Sequence, residues 1–343
     1  MADKTVRKAG LIYVSDSEPG YRRLRRGSRF DYVDRRGRRI TDVRELARIR
    51  ALAIPPAYES VWICPHRRGH IQATARDARG RKQYRYHVDW RSLRDEVKFQ
   101  RSLQFAARLP QLRRRVARDL RARGAQRDRV LAAVVRLLDR ACLRVGNESY
   151  ARANGSFGAS TLRTRHVQVR GARIRLAFRG KSKQNQVLDL EDAALARLIR
   201  RCQDLPGQHL FQYLDEGKRR RVRSDDVNAY IRAVMGDDYT AKDFRTWSAS
   251  VRVAELLFAD DGPVDTARLQ QAIAAAAADL GNTPAVCRRM YVHPAVLAAA
   301  DPATLARGRK AYGRIRRARA GLSRSERALL SFLKSMQRRA PQM

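Results

Sequence analysis

This chain has few cysteines, few acidic side chains and no long apolar run. Its 343 residues include four widely spaced cysteines, Cys64, Cys142, Cys202 and Cys287, a spacing that fits neither a zinc site nor a disulfide framework. No apolar run reaches membrane-spanning length, and the first residues, MADKTVRKAG, do not lead into a signal-peptide core. We therefore expect no metal site, no membrane association and a cytoplasmic location, where thiols stay reduced.

The shortage of acidic residues leaves a large positive charge. Lysine and arginine number 74 against 34 aspartates and glutamates, which gives a formal net charge of +40. A GC-rich genome also enriches arginine, but codon bias does not explain so large an excess of cations over carboxylates. A charge of this size favours a nucleic-acid partner, because binding a polyanion releases counterions.

The spacing of apolar residues changes near residue 90 and predicts an α+β protein of two domains. Residues 1–92 should form a small β-rich N-terminal domain, and residues 93–343 a larger, mainly α-helical C-terminal domain. One short helix is expected after Asp42 in the first domain. Strands are predicted there at Leu11–Val14, Phe30–Asp34, Val61–Cys64 and His70–Thr74, with a hairpin bend at Gly37.

In the C-terminal part, helical spacing is interrupted by a short antiparallel meander. Its three strands are predicted at His166–Val169, Arg173–Phe178 and Gln186–Leu188. The helix that follows should begin at Leu190 with Asp189 as its N-cap. The helices predicted in this part are Leu112–Arg123, Arg129–Val145, Leu190–Arg201, Ser224–Met235, Thr240–Leu257, Arg268–Leu280 and one from Ser323.

A short basic segment, GNTPAVCRRMY, ends on Tyr291. Thr283 is a natural N-cap and Pro284 suits the first helical position, so the segment predicts a helix of about two turns. Taken alone, Tyr291 is explained by a packed ring with a solvated hydroxyl. Three earlier segments favour a different interpretation.

The segments ACLRVGNESY, FRGKSKQ and AKDFRTW place Arg144, Lys181 and Arg245 ahead of Asn282 and Tyr291. When a tyrosine oxygen attacks a phosphodiester, negative charge concentrates on the two non-bridging oxygens. Arginine forks match these oxygens, and an amide N–H also donates to them. A lysine can protonate the departing alkoxide as a general acid. These residue types fit phosphoryl transfer to a tyrosine, with guanidinium groups in place of a metal ion.

In this order and on these predicted elements, the five residues resemble the active site of the type IB DNA topoisomerases, specifically the small poxvirus-like bacterial branch. The resemblance covers most of the chain, including IPPAYESVWICPHRRGHIQATARDARGRKQYRYH, which is similar to the family's DNA-clamping domain. It implies that Tyr291 is the nucleophile, that Arg144 and Arg245 stabilise charge, and that Lys181 lies on a hairpin turn. Asn282 departs from the viral pattern, which has histidine in G-H-T-P. Asparagine still donates to a phosphate but carries no charge.

The resemblance also implies DNA contacts in the run RKQYRY. In a strand, Tyr84 and Tyr86 share one face and Gln83 lies on the other. Gln83 and Tyr84 are expected near bases, and Tyr86 near the DNA backbone. A half-buried strand with a basic outer edge is the alternative for this run. The expected DNA-binding residues are Arg81, Lys82, Gln83, Tyr84, Tyr86 and Tyr150.

The activity that the resemblance implies is relaxation of supercoiled duplex DNA. A clamp around the duplex would cut one strand through a 3′-phosphotyrosyl bond and religate it, without ATP, metal or another cofactor. We expect a monomer associated with the nucleoid. Two alternatives stay open. A tyrosine recombinase shares the chemistry, although recombinases commonly have a histidine before the second arginine, where this chain has KDFR. A non-enzymatic architectural DNA-binding protein explains the charge alone.

Overall fold

The computed structural model describes residues 6, 10–122, 126–236 and 239–338, and the chain divides into two compact units. Unit 1 is Met1–Lys98 and unit 2 is Phe99–Met343. The division falls inside one long helix, Val88–Arg121, and the boundary expected after residue 92 falls in the same helix. The predicted fold class, α+β with a β-rich N-terminal part and a larger helical part, is confirmed.

Unit 1 contains a five-stranded antiparallel sheet and a short helix that packs on it. The strand order is β2-β1-β3-β4-β5, and Ile49 of the helix packs against Val61, Ile63 and Ala73 of the sheet. The elements in chain order are β1 (Tyr21–Arg26), β2 (Arg29–Val33), α1 (Val43–Ala51), β3 (Glu59–Ile63), β4 (Ile71–Arg76), β5 (Lys82–Tyr86) and α2 (Val88–Arg121), which continues into unit 2.

One strand predicted for unit 1 is wrong: Leu11–Val14 is not regular, since Ile12 forms only an isolated bridge with Gly69. The bend at Gly37 is confirmed, because Val33 and Arg39 form an antiparallel bridge across it. The regular partner of β2, however, is β1, across a turn at Gly27. We missed β1 because its arginines conceal the alternation of apolar residues.

Unit 2 is mainly helical and has a three-stranded antiparallel sheet, β6-β7-β8, and a hairpin, β9-β10. Its core includes almost every residue between Val130 and Leu138. The elements after α2 are α3 (Gln126–Ala141), α4 (Glu148–Asn154), β6 (Val167–Arg170), β7 (Arg173–Arg179), β8 (Asn185–Glu191), α5 (Ala193–Gln203), β9 (Gln212–Asp215), β10 (Lys218–Arg221), α6 (Ser224–Met235), α7 (Ala241–Phe258), α8 (Thr266–Leu280), α9 (Pro284–Met290), α10 (Pro294–Leu297), α11 (Pro302–Arg314) and α12 (Arg324–Gln337).

The meander is confirmed, but its third strand is longer than predicted. β8 continues to Glu191, so the next helix begins at Ala193 and its N-cap is Asp192, not Asp189. Asp192 Oδ1 accepts a hydrogen bond from Leu195 N at 3.1 Å. Asp189 instead faces Arg175 across the sheet, where alternation keeps both side chains exposed.

A buried ionic network joins four helices of unit 2. Arg113 of α2 donates to Asp139 of α3 and to Glu326 of α12, both at 2.8 Å. Trp247 Nε1 of α7 donates to Glu326 at 3.1 Å. Burial alone would raise the pKa of Glu326, but the hydrogen bonds and charge of Arg113 lower it overall. The network therefore favours the ionised form of Glu326.

We predict that Glu326→Ala lowers the free energy of unfolding by about 3 kcal/mol, because a buried ion loses a partner. The pKa of Glu326 is lower in the folded state, so its contribution is full above the unfolded pKa of about 4.3 and is lost as pH falls through the folded value. Urea unfolding at pH 7 measures the first effect, and a series of unfolding curves from pH 7 down to pH 3 follows the second, with the difference between wild type and variant shrinking below about pH 4.3. Asp189→Ala, from the exposed pair with Arg175, should cost under about 1 kcal/mol. Equal losses for the two variants would contradict the prediction.

Candidate active site

Arg144 lies in the loop between α3 and α4, which packs against a second loop through two glycines. The Arg144 carbonyl accepts from Ala159 N at 2.8 Å. Gly146 has a φ of +95°, and a Cβ on Gly158 would lie only 2.6 Å from the Gly146 nitrogen. A side chain at Gly158 would push the loops apart, so glycine here fixes the backbone that holds Arg144.

Arg245, on α7, is buried and held by backbone carbonyls. Its guanidinium donates to Leu280 O at 2.8 Å and to Cys142 O. Cys142 has a φ of +51°, which is uncommon for a residue other than glycine. Arg245 Cζ lies 5.2 Å from the centroid of the Tyr291 ring. The arginine is thus fixed beside the tyrosine by neutral acceptors that leave its charge uncompensated.

Lys181 lies at the tip of the β7–β8 hairpin, in the single 3₁₀ turn Lys181–Lys183. Gly180 N donates to Gln184 O at 2.8 Å and closes this turn. The lysine is exposed and lines the same pocket as Arg144 and Arg245. The hairpin therefore brings a third cation to the pocket.

Asn282 follows Gly281, which ends α8 in the left-handed conformation with a φ of +57°. Asn282 Oδ1 accepts a hydrogen bond from Arg144 Nη2. Because a guanidinium only donates, this bond determines which end of the amide faces Arg144. The other end, Nδ2, is buried and has no hydrogen-bond partner among the described residues. A buried donor without a partner is costly, so Nδ2 is suited to an acceptor on a bound ligand.

Tyr291 is half-buried at the C-terminal end of α9, and its backbone N donates to Cys287 O at 2.9 Å. Burial alone would raise its pKa, but the positive charges of Arg245, Arg144 and Lys181 lower the pKa of Tyr291 overall. The phenol is therefore more acidic than an ordinary tyrosine, a useful property for a nucleophile.

The cations also act on one another. Burial, with a further contribution from the charge of Arg245, lowers the pKa of Arg144 to about 10. Arg144 still carries its charge at neutral pH. The structure thus brings Arg144, Lys181, Arg245, Asn282 and Tyr291 to one place, where three cations and an amide donor surround a phenol.

Among the residues that line the pocket, two with amide or carboxyl side chains were not predicted as site residues, Gln186 and Asp279. Gln186 lies opposite Phe178 in the hairpin register, and a Cβ on Gly281 would be 2.7 Å from its Nε2. The hairpin register alone would have indicated Gln186. Asp279 pairs with Arg252 at 3.3 Å. It reaches the pocket because α8 ends there, at Leu280, and no local sequence pattern indicates this.

Most of the candidate DNA-binding residues lie on β5, at one edge of the unit 1 sheet. The rings of Tyr84 and Tyr86 stack at 5.7 Å and an interplanar angle of 7°, so they share a face as predicted. Lys82 Nζ lies on the same face, 5.6 Å from the Tyr84 ring. Gln83 Nε2 donates to Asp77 at 2.9 Å.

Arg81 Nε also donates to Asp77, at 2.8 Å. Tyr150, the remaining candidate, is exposed on α4 in unit 2. No helix in the described ranges is long and apolar enough to cross a membrane. Within the same ranges, His, Cys, Asp and Glu side chains form no group of three that could hold a metal ion.

Comparison with known proteins identifies the family. Residues 87–306 match the model of the eukaryotic DNA topoisomerase I catalytic core, and residues 29–77 match the bacterial DNA topoisomerase IB N-terminal domain. The chain is 32% identical over 285 residues to the DNA topoisomerase 1B of Acanthamoeba polyphaga mimivirus, which covers 80% of this chain and 85% of the relative. The chain belongs to the type IB DNA topoisomerases.

A second relative of this topoisomerase is the DNA topoisomerase 1 of Mycosarcoma maydis, 26% identical over 182 residues, which is 48% of this chain and 18% of the relative. All five candidate catalytic residues lie within residues 87–306, the region matched to the catalytic core. The run 81–86 lies between the two matched regions. The family resemblance is confirmed, and the protein is an isomerase that acts on DNA topology.

We predict that Tyr291 titrates below the ordinary tyrosine value of about 10 in the DNA-free enzyme. Carbon-13 NMR of labelled tyrosine measures this, and the signal absent from Tyr291→Phe identifies the residue. Arg144→Ala should raise the pKa of Tyr291, since a positive charge that favours the phenolate is lost. Arg175→Ala, on the exposed face of the meander, should leave it unchanged. A Tyr291 pKa at or above 10 in the wild type would contradict the prediction.

Proposed function

We propose that this topoisomerase relaxes supercoiled duplex DNA by transient cleavage of one strand with Tyr291 as nucleophile. The observation that supports this most directly is the Tyr291 ring against Arg245, beside an Arg144–Asn282 pair that leaves a buried donor without a partner. Donors surround the phenol, as expected of a site for an anionic phosphodiester.

In the proposed reaction, the Tyr291 oxygen forms a bond to phosphorus as the bond from phosphorus to the 5′ oxygen breaks. Arg144, Arg245 and Asn282 Nδ2 stabilise the charge on the non-bridging oxygens. Lys181 gives a proton to the departing 5′ oxygen, and the phenol proton leaves to water. The product is a 3′-phosphotyrosyl bond and a 5′-hydroxyl. After the free end rotates, that hydroxyl reverses the step.

The size of the effects indicates why several groups are needed. One preorganised donor contributes roughly 3–4 kcal/mol and a general acid about 10²–10⁴-fold, against a typical enzymatic lowering of ~8–23 kcal/mol. The terms are not additive, but two arginines, an amide and a lysine reach this range. Because the phosphotyrosyl ester keeps the energy of the broken bond, the proposed cycle requires neither ATP nor a metal ion.

Binding to DNA is proposed to use both units as a clamp. The net charge of +40 supplies non-specific attraction to phosphates. Lys82, Tyr84 and Tyr86 present one cation and two aromatic rings on one face of β5, and Tyr150 presents an exposed ring in unit 2. We propose that the enzyme works as a monomer in the cytoplasm, on nucleoid DNA.

Relaxation of a supercoiled plasmid in EDTA without ATP tests this function. The wild type should relax the plasmid, and Tyr291→Phe should not, although it binds DNA with nearly the same affinity. Relaxation by Tyr291→Phe would show that the nucleophile is another residue. Strand exchange between two duplexes, assayed in parallel, would indicate a recombinase, and DNA binding without relaxation would favour an architectural role.

Asn282→Asp should reduce the single-turnover cleavage rate more than Asn282→Ala. Alanine removes one donor, an effect of about 10²–10³-fold. Aspartate has the same shape but presents only acceptors, so it keeps Arg144 engaged and repels the phosphate. DNA affinity, measured in a Tyr291→Phe background, serves as the control. Equal or faster cleavage by Asn282→Asp would contradict the donor role of Nδ2.

A further inference from the structure

A buried hydroxyl joins the helix of Arg245 to the segment of Tyr291, and we propose that Ser250 is a positioning residue for the nucleophile. This inference rests on the function proposed for Tyr291. Ser250, on α7, is completely buried. Its Oγ lies 3.1 Å from the Tyr291 carbonyl oxygen and 2.9 Å from that of Thr246, and it accepts from His293 N at 2.9 Å.

The common role of such a serine accounts for only part of this geometry. A helical serine often bonds the carbonyl four residues earlier, which explains the contact with Thr246. It does not explain why Oγ also accepts from His293 N and lies 3.1 Å from the Tyr291 carbonyl, both in a separate segment. The single hydroxyl proton is shared between the carbonyls of Thr246 and Tyr291, and the bond from His293 N ties the segment of the tyrosine to the helix that also holds Arg245.

The rest of this segment is held as well. Tyr291 N donates to Cys287 O at 2.9 Å. On the other side, His293 Nδ1 accepts from Ala295 N at 3.1 Å, and its ring meets Phe99 edge to face at 5.4 Å. Burial lowers the pKa of His293 to about 4, so the ring is neutral at pH 7 and acts as a cap. Ser250 connects this segment to α7 by hydrogen bonding.

Attack on phosphorus needs the phenol oxygen in line with the leaving oxygen, and a displacement of about 1 Å can cost ~10²-fold in rate. Before cleavage, only the protein holds Tyr291 in place. After cleavage, the phosphotyrosyl bond holds it too. Loss of Ser250 should therefore slow cleavage much more than religation. A variant that only lowers the fraction of folded enzyme would reduce cleavage and religation by the same factor, so the ratio of the two rates would not change.

Ser250→Ala tests the proposal, and Thr304→Val is the control. Thr304, in α11, also has a buried hydroxyl, which donates to Asp301 at 2.7 Å. Single-turnover cleavage, and religation from the isolated covalent complex, are measured for both variants. Ser250→Ala should lower the cleavage rate by about 10–100-fold and the religation rate by less than about threefold, because misplacement acts before the covalent bond forms. Thr304→Val should change neither rate by more than about threefold, because its hydroxyl bonds Asp301 and its loss should not displace the Tyr291 phenol.

An unchanged cleavage rate, or equal losses in cleavage and religation, would overturn the proposal. Tyr291→Phe in the same assay separates the two hypotheses. If it still cleaves, the nucleophile assignment fails and the role of Ser250 fails with it; if it does not cleave and Ser250→Ala leaves the ratio of the rates unchanged, only the role of Ser250 fails. If Ser250→Ala does not fold, Ser250→Cys keeps a weak donor at the position and is tested in its place. The same asymmetry is expected, and an unchanged ratio of the rates would again overturn the proposal.

Discussion

Mutual repulsion between Arg144 and Arg245 is the constraint on which the site depends. The two guanidinium groups share one partly buried pocket, where burial first and then repulsion by Arg245 lower the pKa of Arg144. Carboxylates would relieve the repulsion but would also neutralise the charge that a phosphate needs. The protein uses neutral acceptors instead, the carbonyls of Cys142 and Leu280 for Arg245 and the Asn282 amide for Arg144.

Elsewhere in unit 2 the same residue type has acidic partners. Arg113 is paired with Asp139 and Glu326, and Arg136 Nε pairs with Asp192 at 2.7 Å. Those arginines join elements of the scaffold, and their charges are compensated. The contrast separates arginines that stabilise the fold from arginines whose charge is available to a ligand. For a chain with 74 lysines and arginines, this distinction is more informative than the charge total.

Supporting the uncompensated arginines requires unusual backbone geometry. The contact between Gly146 and Gly158 leaves no room for a side chain, and Cys142 adopts a positive φ while its carbonyl accepts from Arg245. Such conformations persist only where surrounding contacts impose them, and they occur often at functional sites. Backbone strain and charge repulsion therefore occur together in the loop before α4.

The ordered residues from Arg144 to Tyr291, the hairpin and the helix starts marked by a cap, such as Thr240, Thr283 and Ser323, could be predicted, because residue types, caps and apolar spacing indicate them locally. Helix starts inferred from apolar spacing alone, such as Leu112 for the helix that begins at Val88, were misplaced. The extent of β8 and the arginine-rich β1 could not, since cross-strand pairing overrides local spacing. The backbone carbonyls that accept from Arg245 could not be predicted either, because every residue has a carbonyl and the sequence does not distinguish those of Cys142 and Leu280. Ser250 was missed because its partners lie 41 and 43 positions away in the chain.

The most direct test of this account is the covalent product on a DNA strand designed so that the cleaved 5′ end diffuses away. Mass spectrometry of the digested complex identifies both the modified residue and the linked DNA end. The account predicts a single adduct on Tyr291, attached through the 3′ phosphate, and a released strand with a free 5′-hydroxyl. An adduct on another residue, or a linkage through a 5′ phosphate, would contradict it.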